Sequence, residues 1–200
     1  MVLLSTTYFG PVQWFQKLYR HGEAMIEVCE SFQKQTYRNR CLIATAQGVQ
    51  ALTVPVEGSK ANRLVADLRI SDHGNWRHQH WQAITSAYGD SPFLEYYEDD
   101  LRPFFFEHQW ERLVDFNDAI VRRMCELLDI HPVLKNTTEF ERVVGFADYR
   151  EAISPKHPLP DTEFVPRPYY QVFSQRHGFL PNLSILDLLL NMGPEAIFFL

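Results

Sequence analysis

The chain has 200 residues, a formal net charge of −6, and 46% apolar against 22% charged residues. That balance excludes a disordered chain and leaves room for one substantial core, so residues 1–200 are taken as a single domain. The acidic balance also argues against a protein that coats nucleic acid, which needs a basic stripe to displace counterions, while leaving open a basic pocket local to a small ligand.

Val2–Tyr8 reads as a short strand, Gly10-Pro11 as a break, and Val12–Tyr19 as a helix with Val12, Phe15 and Leu18 on one face. Gly22 stops that helix, and Ala24–Val28 is a second strand, so the first 28 residues have the form of a βαβ unit in a parallel sheet. Cys41–Ala46 and Val49–Val56 alternate about Gln47-Gly48 and predict an antiparallel hairpin, with Pro55 at an edge or strand end. Leu64–Ile70 reads as one more strand. Trp76–Tyr88 predicts a helix, capped by Asp72 or Asn75 and closed by Gly89. Ser91-Pro92 starts another, and a longer helix is expected from near Glu107 to Asp129. The prolines between Ser154 and Pro168 make that stretch a loop, followed by an apolar Tyr169–Ser174 strand. A last short helix begins near Asn182 or Ser184 and ends at Gly193-Pro194. The fold class is therefore α/β: a small parallel sheet core, an antiparallel hairpin and a helical half.

Cys29, Cys41 and Cys125 are odd in number and lack a CxxC spacing, so neither a disulfide framework nor a zinc site is read from them. The eight His show no metal spacing, and GxGxxG, P-loop, HExxH and GxSxG patterns are absent. No metal and no cofactor is expected. The first ten residues lack a basic-then-apolar leader, and the apolar runs near Leu183–Leu190 and Ala196–Leu200 are too short to span a bilayer. A cytoplasmic location with reduced thiols follows as the expectation. Nothing in the sequence speaks to oligomeric state.

Between Gln33 and Arg40, three cations and two glutamines crowd into eight residues of an acidic protein. Arginine presents a planar fork to phosphate or carboxylate, and lysine adds a mobile charge, so Lys34, Arg38 and Arg40 are expected to converge on an anion-binding concavity. The alternative is a solvated strand end. On the Trp76–Tyr88 helix, Arg77 falls within a broad aromatic face and should be half buried and either paired or open to a cleft. His80 on the same face is a candidate proton carrier, set against a core histidine bonded to backbone. Asn117, amid the apolar side of the long helix, either ties two elements together or faces a polar pocket. Ser184-x-x-Asp187 fits a variant capping box, with Asp187 a possible catalytic carboxylate.

Several segments together resemble the WbqC-like family: Thr7-Tyr8-Phe9-Gly10-Pro11, Gln33-Lys34 with Tyr37-Arg38-Asn39-Arg40, Trp76-Arg77-x-x-His80, and Ser86-Ala87-Tyr88. Leu113-x-Asp115-x-Asn117, Asp148-x-Arg150 with Pro155-Lys156, and the closing Leu183-Ser184-Ile185-Leu186-Asp187 extend the likeness over nearly the whole chain. The resemblance implies a bacterial protein encoded among genes for O-antigen and other surface polysaccharides, and so a role in making or modifying an activated sugar. It also implies an acidic pair shortly before the Gln-Lys step, where this chain has Val28-Cys29-Glu30.

The function expected is a transferase-like enzyme holding a small phosphorylated or acidic precursor, such as a nucleotide-linked sugar. Lys34, Arg38, Arg40, Arg77 and Asn117 would bind it, and His80 and Asp187 would serve catalysis. One alternative is a non-catalytic protein that binds such a ligand or a partner enzyme. Another is a nucleotidyltransferase-like domain, suggested by Gly10-Pro11 entering a helix but lacking the histidine pair that would open it.

Overall fold

The computed structural model describes residues 1–58, 63–142 and 145–200. The expected βαβ unit is present. Strand β1 (Val2–Ser5) leads into helix α1 (Val12–His21), which ends on Gly22 in the left-handed region (φ 67°) and returns through β2 (Glu23–Glu27), parallel to β1 with Val2 opposite Ala24. Glycine suits that stop because a Cβ there would crowd the backbone.

The hairpin also forms, as β3 (Arg40–Thr45) and β4 (Gly48–Thr53), paired from Arg40↔Thr53 to Thr45↔Gly48. Leu64–Ile70 does not become a strand. It makes a 3-10 turn, Val65–Asp67, with isolated bridges at Leu64, Arg69 and Ile70, because its backbone groups find partners on three separate segments. Helix α2 covers Trp76–Tyr88, as its periodicity predicts, although neither Asn75 nor Asp72 caps it and Gly89 stays right-handed (φ −56°). α3 (Leu94–Leu101) and α4 (Pro103–Phe106) follow. The long helix starts later than expected: α5 spans Leu113–Leu127, because the stretch before it pairs laterally, with Arg69 bridged to Arg112.

Two strands went unanticipated. β5 (Val133–Asn136) adds in parallel to β2, and the two-residue β6 (Ala147–Asp148) adds in parallel to β1, giving the sheet order β5-β2-β1-β6. Tyr169–Ser174 is not a strand; Ser174–His177 makes a short helical turn, α6.

The last helix, α7 (Ile185–Met192), runs into a 3-10 segment, Gly193–Phe199. It is stitched to the residues after β1. Val12 N donates to Leu183 O, Ile185 N to Gly10 O, and Ser184 Oγ to Phe9 O at 2.7 Å. The hairpin packs against α2 and α7. The proline-rich segment lies along α1, where Lys17, fully buried, meets Asp161 at 2.7 Å and Gln13 donates to the same carboxylate. Among the described residues no helix is long and apolar enough to cross a membrane.

Ser184 Oγ serves two bonds, donating to Phe9 O and accepting from Leu186 N at 3.2 Å as the cap of α7. Ser184→Ala removes both and should cost about 1–3 kcal/mol. A urea melt should show the midpoint lowered at unchanged slope; an unmoved midpoint would mean that the stitch contributes nothing.

Candidate functional site

In the sheet, the chain steps from β1 to β2 and on to β5, then returns to place β6 on the other side of β1. The order therefore reverses between β1 and β6. In open parallel sheets the crevice outside the carboxyl ends of such strands is where ligands sit, because two diverging loops leave a gap there. Ser5, Thr6 and Thr7 leave β1 at this point, and Tyr149 and Arg150 leave β6. Together with Arg38 they border a crevice of about 10 Å³, room for one water-sized group.

Beside it opens a cavity of about 400 Å³, bordered by Cys29, Glu30, Gln33, Phe140, Asp148, Arg150 and Glu151. A charged network forms its inner wall. Glu30 takes Arg38 Nε at 2.7 Å and Nη2 at 2.5 Å, and Arg38 Nη2 also donates to Ser5 Oγ at 2.9 Å. Glu27, at the last position of β2, accepts from Cys29 N and Thr137 Oγ1 on one oxygen and from Glu141 N and Arg150 Nη1 on the other. Arg150 in turn grips Asp148, with Nη2 at 2.7 Å. That grip holds the Asp148 carboxyl below its usual range, although burial pushes the other way. Both arginines are thus already neutralised by carboxylates.

The expected convergence of Lys34, Arg38 and Arg40 does not occur. Lys34 and Arg40 do border one opening, a second cleft of about 310 Å³ whose wall includes Phe32, Asn39, Thr53 and Val54 and, among the described residues, no carboxylate. Arg40 Nε donates to Thr53 Oγ1 at 3.2 Å, and neither cation forms an ion pair among the described residues. Arg38 turns inward to Glu30 instead, since its position places it 5% exposed, where an unpaired guanidinium would be costly. The segment from Cys29 to Gln35 is a shared wall: Cys29, Glu30, Ser31 and Gln33 border the larger cavity, and Phe32, Lys34 and Gln35 border the cation cleft.

The other candidates lie apart from these openings. Arg77 is half-buried and paired as expected, with Asp72 at 2.6 Å and its guanidinium over Trp76 at 4.6 Å, but it does not border the cation cleft. His80 is buried, bonded through Nδ1 to Tyr8 OH at 2.9 Å, and burial pushes its pKa down to about 4. Asn117 is fully buried and ties α5 to the site, donating to Thr6 Oγ1 and to the Arg38 carbonyl, while among the described residues its Oδ1 has no partner. Asp187 does not complete a capping box. It is fully buried and accepts from Tyr88 OH, Tyr169 OH and Gln171 Nε2, with its pKa raised by burial.

Sequence reasoning did not single out Glu27, Thr137 or Glu151, and it met Asp148 and Arg150 only as a motif. A glutamate next to the end of a predicted strand, and a carboxylate and arginine two residues apart, were the available signals. Among the described residues no three His, Cys, Asp or Glu side chains are grouped to hold a metal ion.

Fold and cavities together define an α/β protein with a charge-paired cleft at the carboxyl edge of a small parallel sheet. The WbqC-like protein family matches residues 6–153, and the chain belongs to that family. It is similar to "Uncharacterized protein Rv1507c" of Mycobacterium tuberculosis (strain ATCC 25618 / H37Rv), 27% identical over 190 residues that cover 82% of this chain and 81% of that protein. No solved structure is significantly similar.

Arg38→Met would leave Glu30, 7% exposed, without its counter-charge and should cost about 3–5 kcal/mol. Urea unfolding of Arg38→Met, Glu30→Gln and the double variant should show the double losing less than the sum of the singles; additivity would mean that the pair does not couple. His80 generates a pH dependence. Its folded pKa lies below the unfolded value, so the unfolded chain binds the extra proton, and stability falls as pH drops from about 6.5 towards 4. When the two proteins are unfolded in urea at pH 7, 6 and 5, His80→Gln should have the shallower slope, by up to about 1.4 kcal/mol per pH unit.

Proposed function

We propose that this chain is a transferase-like enzyme of bacterial surface-polysaccharide biosynthesis that holds a small phosphorylated or acidic precursor, such as a nucleotide-linked sugar. Family membership supports the pathway. The observation that carries the ligand class is the cleft of Lys34 and Arg40, where two cations share a concavity whose wall has no carboxylate among the described residues. Like charges placed together without counter-charge repel, and a bound anion relieves that repulsion. The phosphate end of the precursor lies there, and the remainder passes to the cavity on the other side of the Cys29–Gln35 wall.

In this reading Arg38 is a brace for that wall, and Asn117 ties the brace to α5. Proton transfer falls to Glu151, the exposed carboxylate that borders the cavity, because His80 and Asp187 are sealed in the core, Glu30 is taken up by Arg38, and Asp148 is held ionised by Arg150. Arg77, His80 and Asp187 then act at a distance, through packing.

That burial of His80 and Asp187 also favours a second reading, a binding protein without turnover. One experiment addresses both. Inorganic pyrophosphate and a uridine diphosphate sugar should raise the melting temperature of the protein, whereas uridine should not. Changing Lys34 and Arg40 together to Gln should weaken binding by about ten-fold or more and leave the unliganded melt level or higher. Binding that ignores both changes would defeat the anion cleft. Release of nucleotide from the sugar, followed by chromatography, would support the enzyme, and stable binding without release the second reading.

A further inference from the structure

The cation cleft has a second polar feature that its charges do not explain. Asn39 borders it, 5% exposed, at the foot of the hairpin and one residue before β3. Its main chain and side chain both engage Val54, just past the end of β4. Val54 N donates to the Asn39 carbonyl at 2.8 Å, and Asn39 Nδ2 donates to the Val54 carbonyl at 2.8 Å. The second bond turns the donor end of the amide to the protein and fixes which way round the amide sits. Its acceptor end, Oδ1, is buried and meets no donor among the described residues. An amide oxygen in that state is costly, more so where its neighbours are apolar, and here Phe32, Val54, Pro55 and Val56 share the same wall.

Two demands therefore fall on one cleft. Arg40 gives Nε to Thr53 Oγ1, and neither it nor Lys34 forms an ion pair among the described residues, so the cations call for an anion. Asn39 Oδ1 calls for an N–H or O–H donor. An ionised phosphate meets the first demand and not the second, so the donor belongs to another part of the same molecule. It also has to be carried on something that suits an apolar flank. A sugar ring would bring several hydroxyls, most of them unanswered beside Phe32 and Val56. A nucleobase brings its N–H at the edge of a flat ring whose faces need no hydrogen bond. At about 310 Å³ the cleft is at the small end of ligand sites, which favours a pyrimidine over a purine.

We propose that this cleft binds a pyrimidine nucleotide, with a base N–H donated to Asn39 Oδ1, the ring against Phe32, Pro55 and Val56, and the phosphates on Lys34 and Arg40. The inference rests on the reading of the cleft as an anion site. It names the part of the ligand that lies beside the phosphates, and leaves the sugar to pass beyond the Cys29–Gln35 wall. Asn39 is then a specificity residue, which selects the base and takes no part in bond making. Two donors share this chemistry, the ring N–H of uracil and the exocyclic amine of cytosine.

Calorimetric titration of the whole protein with matched ligands tests it. Uridine diphosphate is set against its 3-methyl derivative, and cytidine diphosphate against its N4,N4-dimethyl derivative, each pair differing only in the N–H. In one pair the parent should bind at least about ten-fold more tightly than the methylated form, and that pair identifies the donor. In Asn39→Ala the preference should fall to about three-fold or less, while inorganic pyrophosphate binds as before and reports an intact cleft. Both pairs binding alike, pyrophosphate binding while no nucleotide does, or a preference that survives Asn39→Ala would each overturn the proposal. Should Asn39→Ala fail to fold, the two pairs decide with the unaltered protein. Pyrophosphate separates the failures. If it binds through Lys34 and Arg40 while the methyl groups make no difference, the base site alone falls. If it does not bind, the anion cleft falls as well.

Discussion

A guanidinium buried to the extent of Arg38 can exist only where acceptors surround it, and those acceptors have to come from more than one part of the chain. Here Glu30 arrives from the turn after β2 and Ser5 from the end of β1, while the Arg38 carbonyl is held by Asn117 of α5. Removing any one of these leaves polar groups without partners in a place water reaches poorly. The carboxyl edge of the sheet is therefore fixed by charge and hydrogen bonding as much as by packing. Glu27 repeats the principle one step along, serving Cys29, Thr137, Glu141 and Arg150 from a single fully buried carboxylate.

This constraint sorts the basic residues of the 33–40 segment into two kinds. Arg38 is satisfied within the protein, and Lys34 and Arg40 are left to solvent or to a ligand. Because the residues from Cys29 to Gln35 divide between the two openings, one short stretch of chain separates an acidic cavity from a basic cleft.

The βαβ unit, the hairpin and helix α2 were legible because each is long or strongly periodic, and their stops, such as Gly22, have a local steric cause. β5 and β6 were not, since a strand of four residues and one of two carry too little alternation to register, and they exist by virtue of the β2 and β1 edges that they extend. Leu64–Ile70 looked like a strand for its apolar content, yet its partners lie on three segments, a long-range fact. The same holds at the site. Residue type singled out Lys34, Arg38 and Arg40, but the eight-residue separation of Glu30 from Arg38 has no periodicity to betray the pair. His80 and Asp187 have the chemistry that catalysis uses, and the structure buries both, a depth that composition does not reveal.

The stitch between Ser184 and Phe9 joins atoms 175 residues apart. Strand β1 is made early, but the backbone acceptors that follow it at Phe9 and Gly10 wait for donors supplied near the far end. On the ribosome the emerging βαβ unit has its own pairing but lacks the partners that close it, and folding cannot complete until residues 183–185 have cleared the exit tunnel. Closing so long a loop is slow, because the chain entropy is lost before the contacts are gained. A protein built this way spends its synthesis with the turn between β1 and α1 unfinished, its carbonyls at Phe9 and Gly10 left to water.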